Sequence, residues 1–368
     1  MEKDESIYWM ALAHAERVWA RRKNEIVVAC FRRNETLLDF YGASEREWRD
    51  VYRLDLTADE VSALNESKAR LANYSFLAED LLEQGYDLIP ITSPEYPRIL
   101  KEHLKYGSPV LLYVKGNRSL LARECVAIVG SRKAGDISLA FTDNVAAKVV
   151  RRGSVVVSGY ARGVDQQAFL SAVKHGGSSI IVLPQGIMTF SSAFRSLHKQ
   201  IVSGNLLVMS YFPPRAPWSV GLAMARNAVV YAMAETIYVA ESGFEGGTYE
   251  GVKSGLRAGR RIYVRWPEDS EHNANRSLVE AGAVPVDLCG NEIEGPESEF
   301  DVISREIRVW LSRGEMSAKE LSKAILSSDD RAAQSKVRKV LESMDDVVKV
   351  RTRSPITYTL KGVQRTLL

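Results

Sequence analysis

The sequence predicts an α/β fold built on a doubly wound parallel sheet, and three observations predict it. Six short apolar runs recur along the middle of the chain, at 126–129, 155–157, 180–183, 206–209, 237–240 and 262–264. Helix-length segments at 141–151, 165–174, 193–201, 222–234 and 249–258 separate them. The first two runs end in glycine turns, at Gly130 and Gly159, that lead into the next helical segment. Continuous apolar strands alternating with helices require a parallel sheet covered on both faces.

Residues 1–85 read as a small helical domain, of the SAM or helix-hairpin-helix kind. Ile7, Trp9, Met10, Leu12 and Ala13 give one apolar helical face, and Leu71, Tyr74, Leu77, Leu81 and Leu82 give another that stops at Gly85. Trp9, Trp19 and Trp48 read as the core of this domain rather than as a base-stacking surface. The α/β domain spans 86–286. It opens with an extended run at 87–91, is interrupted by Pro94, Pro97 and Pro109, and continues with a buried strand at 110–114 before the alternation begins. Residues 287–300 are polar and acidic, with Gly290, Gly295 and Pro296, and read as a linker. In 301–368, helices are expected at 302–311, 317–326 and 332–341. A hairpin follows, pairing 347–351 with 356–360 around Ser354-Pro355. Three helices and a hairpin form a winged-helix-like domain.

The 368 residues are 45% hydrophobic and 26% charged, which excludes a disordered or collagen-like chain and suffices for two or three domains. No apolar stretch reaches the ~18 residues of a membrane helix. Residues 1–6 are charged, without the apolar core of a signal peptide. The expected setting is cytoplasmic, with no membrane partner. Cys30, Cys125 and Cys289 form no CxxC pair, and His14, His103, His175, His198 and His272 fall in no ligand spacing. Neither a metal nor a cofactor is expected. The net charge of +3 hides an asymmetry: residues 310–368 carry +5, and the remaining 309 residues sum to −2. A basic segment of this kind marks a nucleic-acid contact or a solvated face.

Ligands of open α/β sheets sit at the carboxyl ends of the strands. There the first strand offers Gly130, Ser131 and Arg132: a close backbone approach, a hydroxyl and a forked donor suited to phosphate, ahead of a helix N-terminus that favours anions. Arg132 stands where the second glycine of GxGxxG would be. Asp136-Ile137 replace the Lys and Ser/Thr of a P-loop, so neither nucleotide fingerprint is present. The second strand ends in Ser158-Gly159-Tyr160-Ala161-Arg162-Gly163-Val164-Asp165, with Arg162 beside the same mouth and Asp165 a candidate helix cap. Arg226 and Asn227, and the glycine-rich opening Gly246-Gly247-Thr248, complete a candidate phosphate-binding set with no nucleophile–base pair. In the C-terminal domain, Lys336, Arg338 and Lys339 on the third helix, with Arg351 and Arg353 on the wing, are candidate duplex-DNA contacts.

These residues fall in an order that resembles the DprA/Smf family of DNA-processing proteins. The carrying stretches are Tyr96-Pro97-Arg98-Ile99-Leu100, the run 109–117 ending in Lys115-Gly116-Asn117, and Val126 to Arg132. Ser158 to Asp165, Arg226-Asn227, and Asn275…Leu278…Gly282-Ala283 follow. The resemblance implies an extended Rossmann-like fold that binds single-stranded DNA, without catalysis, at Gly130, Ser131, Arg132, Ser158, Gly159 and Arg162. It also implies a homodimer that protects incoming single strands in natural transformation and helps load a RecA-type recombinase. The sequence departs from the pattern where Phe169 replaces a histidine, Ala228 an arginine and Phe244-Glu245 a Ser-Leu, and where Trp266-Pro267 replaces a Pro-Gly. The run Gly246 to Glu250 also resembles the loop of phosphoribohydrolase-like enzymes. That alternative makes the chain a nucleotide enzyme or sensor, with mobile-element defence as a setting, using Arg226 and Glu250.

Overall fold

In the computed structural model, which describes residues 3–294, 299–350 and 355–361, each of the six apolar runs is a strand to within one or two residues. They are β3 (Cys125–Val129), β4 (Val155–Ser158), β5 (Ser179–Val182), β6 (Leu206–Ser210), β7 (Thr236–Val239) and β8 (Ile262–Arg265). Three further strands complete the sheet: β1 (Asp87–Pro90), β2 (Leu111–Gly116) and β9 (Val284–Val286). The order is β1-β2-β6-β5-β4-β3-β7-β8-β9. The seven strands from β6 to β9 pair in parallel. The expected parallel sheet is therefore mixed, because β1–β2 and β2–β6 pair antiparallel. The prolines sit where a missing N–H costs nothing to the sheet interior: Pro90 and Pro285 lie on the two outermost strands.

Alternate residues of β3 bury on opposite faces. Val126 and Ile128 meet Phe141, Val145 and Val149 of α8 (Asp136–Arg151) and Val164, Ala168 and Ala172 of α9 (Val164–Lys174). Ala127 and Val129 join the face covered by α7 (Arg98–Leu104), α11 (Val220–Ala232), α12 (Gly247–Arg257) and α13 (Asn275–Glu280). Strand order reverses between β3 and β7, so the loops after these two strands diverge to opposite sides and leave a crevice between them.

Six helices precede the sheet: α1 (Lys3–Ala13), α2 (Ala20–Arg33), α3 (Leu37–Gly42), α4 (Glu45–Asp50), α5 (Ala58–Ala69) and α6 (Leu71–Glu83). Thr36–Asp39, Ser44–Glu47 and Thr57–Glu60 form capping boxes that start three of them. Their apolar faces, with Trp9, Phe40, Trp48, Leu64 and Leu81, share one cluster with Leu111, Tyr113, Leu206 and Val208 of the sheet and with α10 (Ser191–Val202). Trp19 departs from the expected core role. It is the residue before α2, outside the helical repeat, and is 81% exposed.

The chain divides into two units, Met1–Ile293 and Glu294–Leu368. Residues 287–293, read as linker from the sequence, hydrogen-bond to the α/β unit: Lys148 Nζ donates to the Gly290 carbonyl at 2.6 Å and Asn144 to that of Leu288 at 3.1 Å. The second unit contains α14 (Glu299–Leu311), β10 (Met316–Ser317), α15 (Ala318–Leu326), α16 (Arg331–Ser343), β11 (Val347–Val350) and β12 (Thr357–Leu360). The three strands pair antiparallel in the order β10-β12-β11 over a core that includes Ile303, Ile307, Leu321, Val337 and Tyr358. Among the described residues, no helix is long and apolar enough to cross a membrane.

One part-buried contact is expected to make the stability of the first unit depend on pH. His14 Nε2 lies 2.5 Å from the Tyr113 hydroxyl of β2, and the rings stack. Desolvation, with Lys23 adding to it, lowers the His14 imidazole from 6.5 to about 3. The unfolded chain takes up that proton first as pH falls. The stabilisation is thus complete above about 6.5 and declines below it, by at most about 1.4 kcal/mol per pH unit. His14→Gln is expected to flatten the loss of stability between pH 7 and pH 5 in urea titrations. An unchanged pH dependence would remove His14 as its source.

Candidate functional site

The crevice between β3 and β7 holds a cleft of about 450 Å³. Its walls are the loop after β3, the start of α11 and the glycine-rich opening of α12. Of the residues singled out from the sequence, Gly130, Ser131, Arg132, Arg226, Asn227, Gly246, Gly247 and Thr248 line it. Ser158, Gly159, Arg162 and Gly163 do not. Arg162 is exposed on the loop before α9, and Ser158 is buried, donating to the Asp165 carbonyl at 3.0 Å.

Beneath the cleft lies a buried ion pair. Asp165 Oδ2 accepts from the Gly159 amide at 3.2 Å and stands 3.8 Å from Arg226 Nη1. Asp165 is therefore no helix cap: Gly163 holds that position, and the carboxylate points back under the loop. Arg226, 3% exposed, also donates from Nη1 to the Val182 carbonyl at 3.2 Å, while its Nε has no partner. Burial pushes the Asp165 carboxyl up, opposed by Arg226 and by backbone amides. Burial pushes the Arg226 guanidinium down, opposed by Asp165. Gly159 makes room for this pair, since a Cβ there would lie 1.3 Å from Arg226 Nη1. Gly163 adopts φ +88° with its α-carbon against the Ser131 carbonyl, where a Cβ would come within 2.3 Å.

The N-terminus of α8, expected to hold an anion, already holds one. Glu241, two residues after β7's end, accepts from the Gly135 amide at 3.1 Å and from Ser138 Oγ at 2.8 Å. Its carboxylate places a negative charge at the start of α8, where it competes with any phosphate. The opening of α12 is different: Gly246, at φ +97°, precedes the helix, and Thr248 Oγ1 donates to the Gly130 carbonyl at 3.2 Å, tying the two loops together. Arg132 and its neighbour Lys133 are exposed on the cleft wall and make no ion pair among the described residues. Glu245 contributes an opposing carboxylate.

Sequence reasoning missed Lys133, Trp218 and Met224 on the wall, and the inhibitory placing of Glu241. Lys133 was legible as the second cation of an adjacent pair. The structure does not assemble Arg226 and Glu250 as a reactive pair: Arg226 is buried against Asp165, and Glu250 is exposed and off the cleft wall. In the second unit, Lys336, Arg338 and Lys339 are exposed on α16, and Arg351 and Arg353 lie outside the described residues. Among the described residues, no group of three His, Cys, Asp or Glu side chains could hold a metal ion.

The family model described as DNA recombination-mediator protein A matches residues 87–294, more than half of the chain and all of the cleft. The chain belongs to the DNA recombination-mediator protein A family. Among curated relatives, the DNA processing protein DprA of Streptococcus pneumoniae is 31% identical over 182 residues, 49% of this chain and 63% of that protein. DprA of Bacillus subtilis is 27% identical over 184 residues, 50% of this chain and 61% of that protein. The chain thus spans about three fifths of the length of these relatives. The solved DprA structure from S. pneumoniae superposes with a TM-score of 0.56 at 22% identity, covering 77% of this chain and 94% of that one, a likeness of fold. In this member of the recombination-mediator family, Phe169, which stands in place of the family's histidine, is buried edge-on against Tyr160 at 5.3 Å.

Gly159→Ala is expected to displace the Arg226 guanidinium and cost about 1–3 kcal/mol in urea unfolding. Gly107→Ala, at a site with nothing within 4 Å, should unfold like the unaltered chain. Equal stability of the two variants would show that the pair tolerates a shift of the loop.

Proposed function

We propose that the chain binds single-stranded DNA across this cleft, through its phosphates, and does no chemistry on it. The observation that carries the reading is the conjunction of two exposed cations, Arg132 and Lys133, that make no ion pair among the described residues, with the open, glycine-rich start of α12 at the switch point of the sheet. The buried Arg226 is neutralised by Asp165 and supports the floor of the cleft rather than adding to its charge. Membership of the recombination-mediator family supports the further proposals: protection of incoming strands in the cytoplasm, delivery to a RecA-type recombinase, and action as a homodimer. Arg132→Ala is expected to weaken binding of a dT oligonucleotide in fluorescence anisotropy and to lower the log–log salt slope by about 0.7. Equal affinity and slope for the two proteins would refute the assignment.

The second unit supports a separate duplex contact. Its element order, a helix, a short strand, two helices and a hairpin, supports reading it as a winged helix with α16 as the recognition helix. Replacing Arg338 and Lys339 together by Ala should reduce affinity for a duplex several-fold and leave single-strand affinity intact. Unchanged duplex binding would point to a protein partner for this face instead.

A further inference from the structure

The rim of the cleft carries an apolar surface that phosphate binding leaves unused. Trp218 is 48% exposed, Val220 67% and Met224 44%, and all three line the cleft. Val220 and Met224 are one turn apart on the first turns of α11, so they share a side of the helix. Trp218 stands just before them, where Ser219 caps α11 by accepting from the Leu222 amide at 3.2 Å. A half-exposed tryptophan beside an aliphatic and a thioether side chain is a surface that gains by being covered. Arg132 and Lys133, on the loop after β3, line the same cleft. The occupant must therefore be anionic at one end and flat and apolar at the other. A nucleotide unit of a single strand has this form, with its phosphate on the cations and its base on the indole. In a duplex the base faces are already stacked and cannot reach a side chain.

We infer that Trp218 is a base-stacking platform that makes the cleft selective for unpaired nucleotides, an inference that rests on the single-strand reading above. Stacking is tolerant of sequence, because every base has a π-face, and it releases no counterions. These two properties separate it from phosphate contacts.

The test compares the full chain with Trp218→Ala and Trp218→Phe, each titrated by anisotropy with a dT oligonucleotide and with an abasic strand of equal length. The expected result is that Trp218→Ala loses roughly tenfold in dT affinity, at an unchanged salt slope, and keeps its affinity for the abasic strand. Trp218→Phe should recover most of the dT affinity. If the unaltered chain binds both strands equally, or if Trp218→Ala weakens both alike, the stacking role is overturned while the single-strand reading stands. If the unaltered chain binds neither strand, both fall together.

Discussion

The buried pair of Asp165 and Arg226 is the constraint on which the cleft depends. Each charge is desolvated, and only its partner and a few backbone groups compensate it. Asp165 is fixed by the first turn of α9, Arg226 by α11, and the Gly159 amide by the end of β4. Three elements, β4, α9 and α11, are thereby held in one arrangement under the switch point. The glycines around them are placed by this crowding. Gly159 gives space to the guanidinium and Gly163 lets the chain pass the loop after β3, so two glycines that looked like phosphate ligands serve to seat the floor of the site.

A second consequence follows from Glu241. Three helix N-termini, those of α8, α11 and α12, open near the cleft, and a rule based on helix dipoles would offer each to an anion, although Ser219 already caps α11. The chain's own carboxylate takes α8, which leaves α12 and the exposed cations of the loop after β3 as the positive surface. The ion pair of Arg265 with Glu271 lies close to the same Ser138, so the α8 side of the crevice is knitted shut by internal charges.

The parallel part of the fold was legible because its signal is local: runs of Val, Ile and Leu of strand length, each followed by a turn glycine and a helix. The antiparallel strands β1 and β2 were visible as extended runs, but the strand that joins β2 to the parallel sheet, β6, lies about ninety residues on, and nothing in the residues of β2 names it. Lys133 was passed over, but Arg132 beside it could be found because it adjoins a strand end. The role of Asp165 could not, since a carboxylate at a helix start is usually a cap, and its turn toward Arg226 depends on packing between distant segments. Arg226 shows the opposite error: an arginine in a helix looks available for a ligand until burial is known.

The sheet edges carry a consequence of their own. On one side, β1 is four residues long and ends in Pro90. On the other, residues after β9 fold back, so that Val286 bridges Glu292 and the Ile293 amide donates to the Pro285 carbonyl. One border is too short and too poor in donors to template another strand, and the other is already occupied by its own chain. The borders of the nine-stranded sheet are therefore poor templates for a second copy. Contacts made by this sheet's unit are better written in side chains on helix faces, where single substitutions tune them, than in backbone ladders that any extended peptide could imitate.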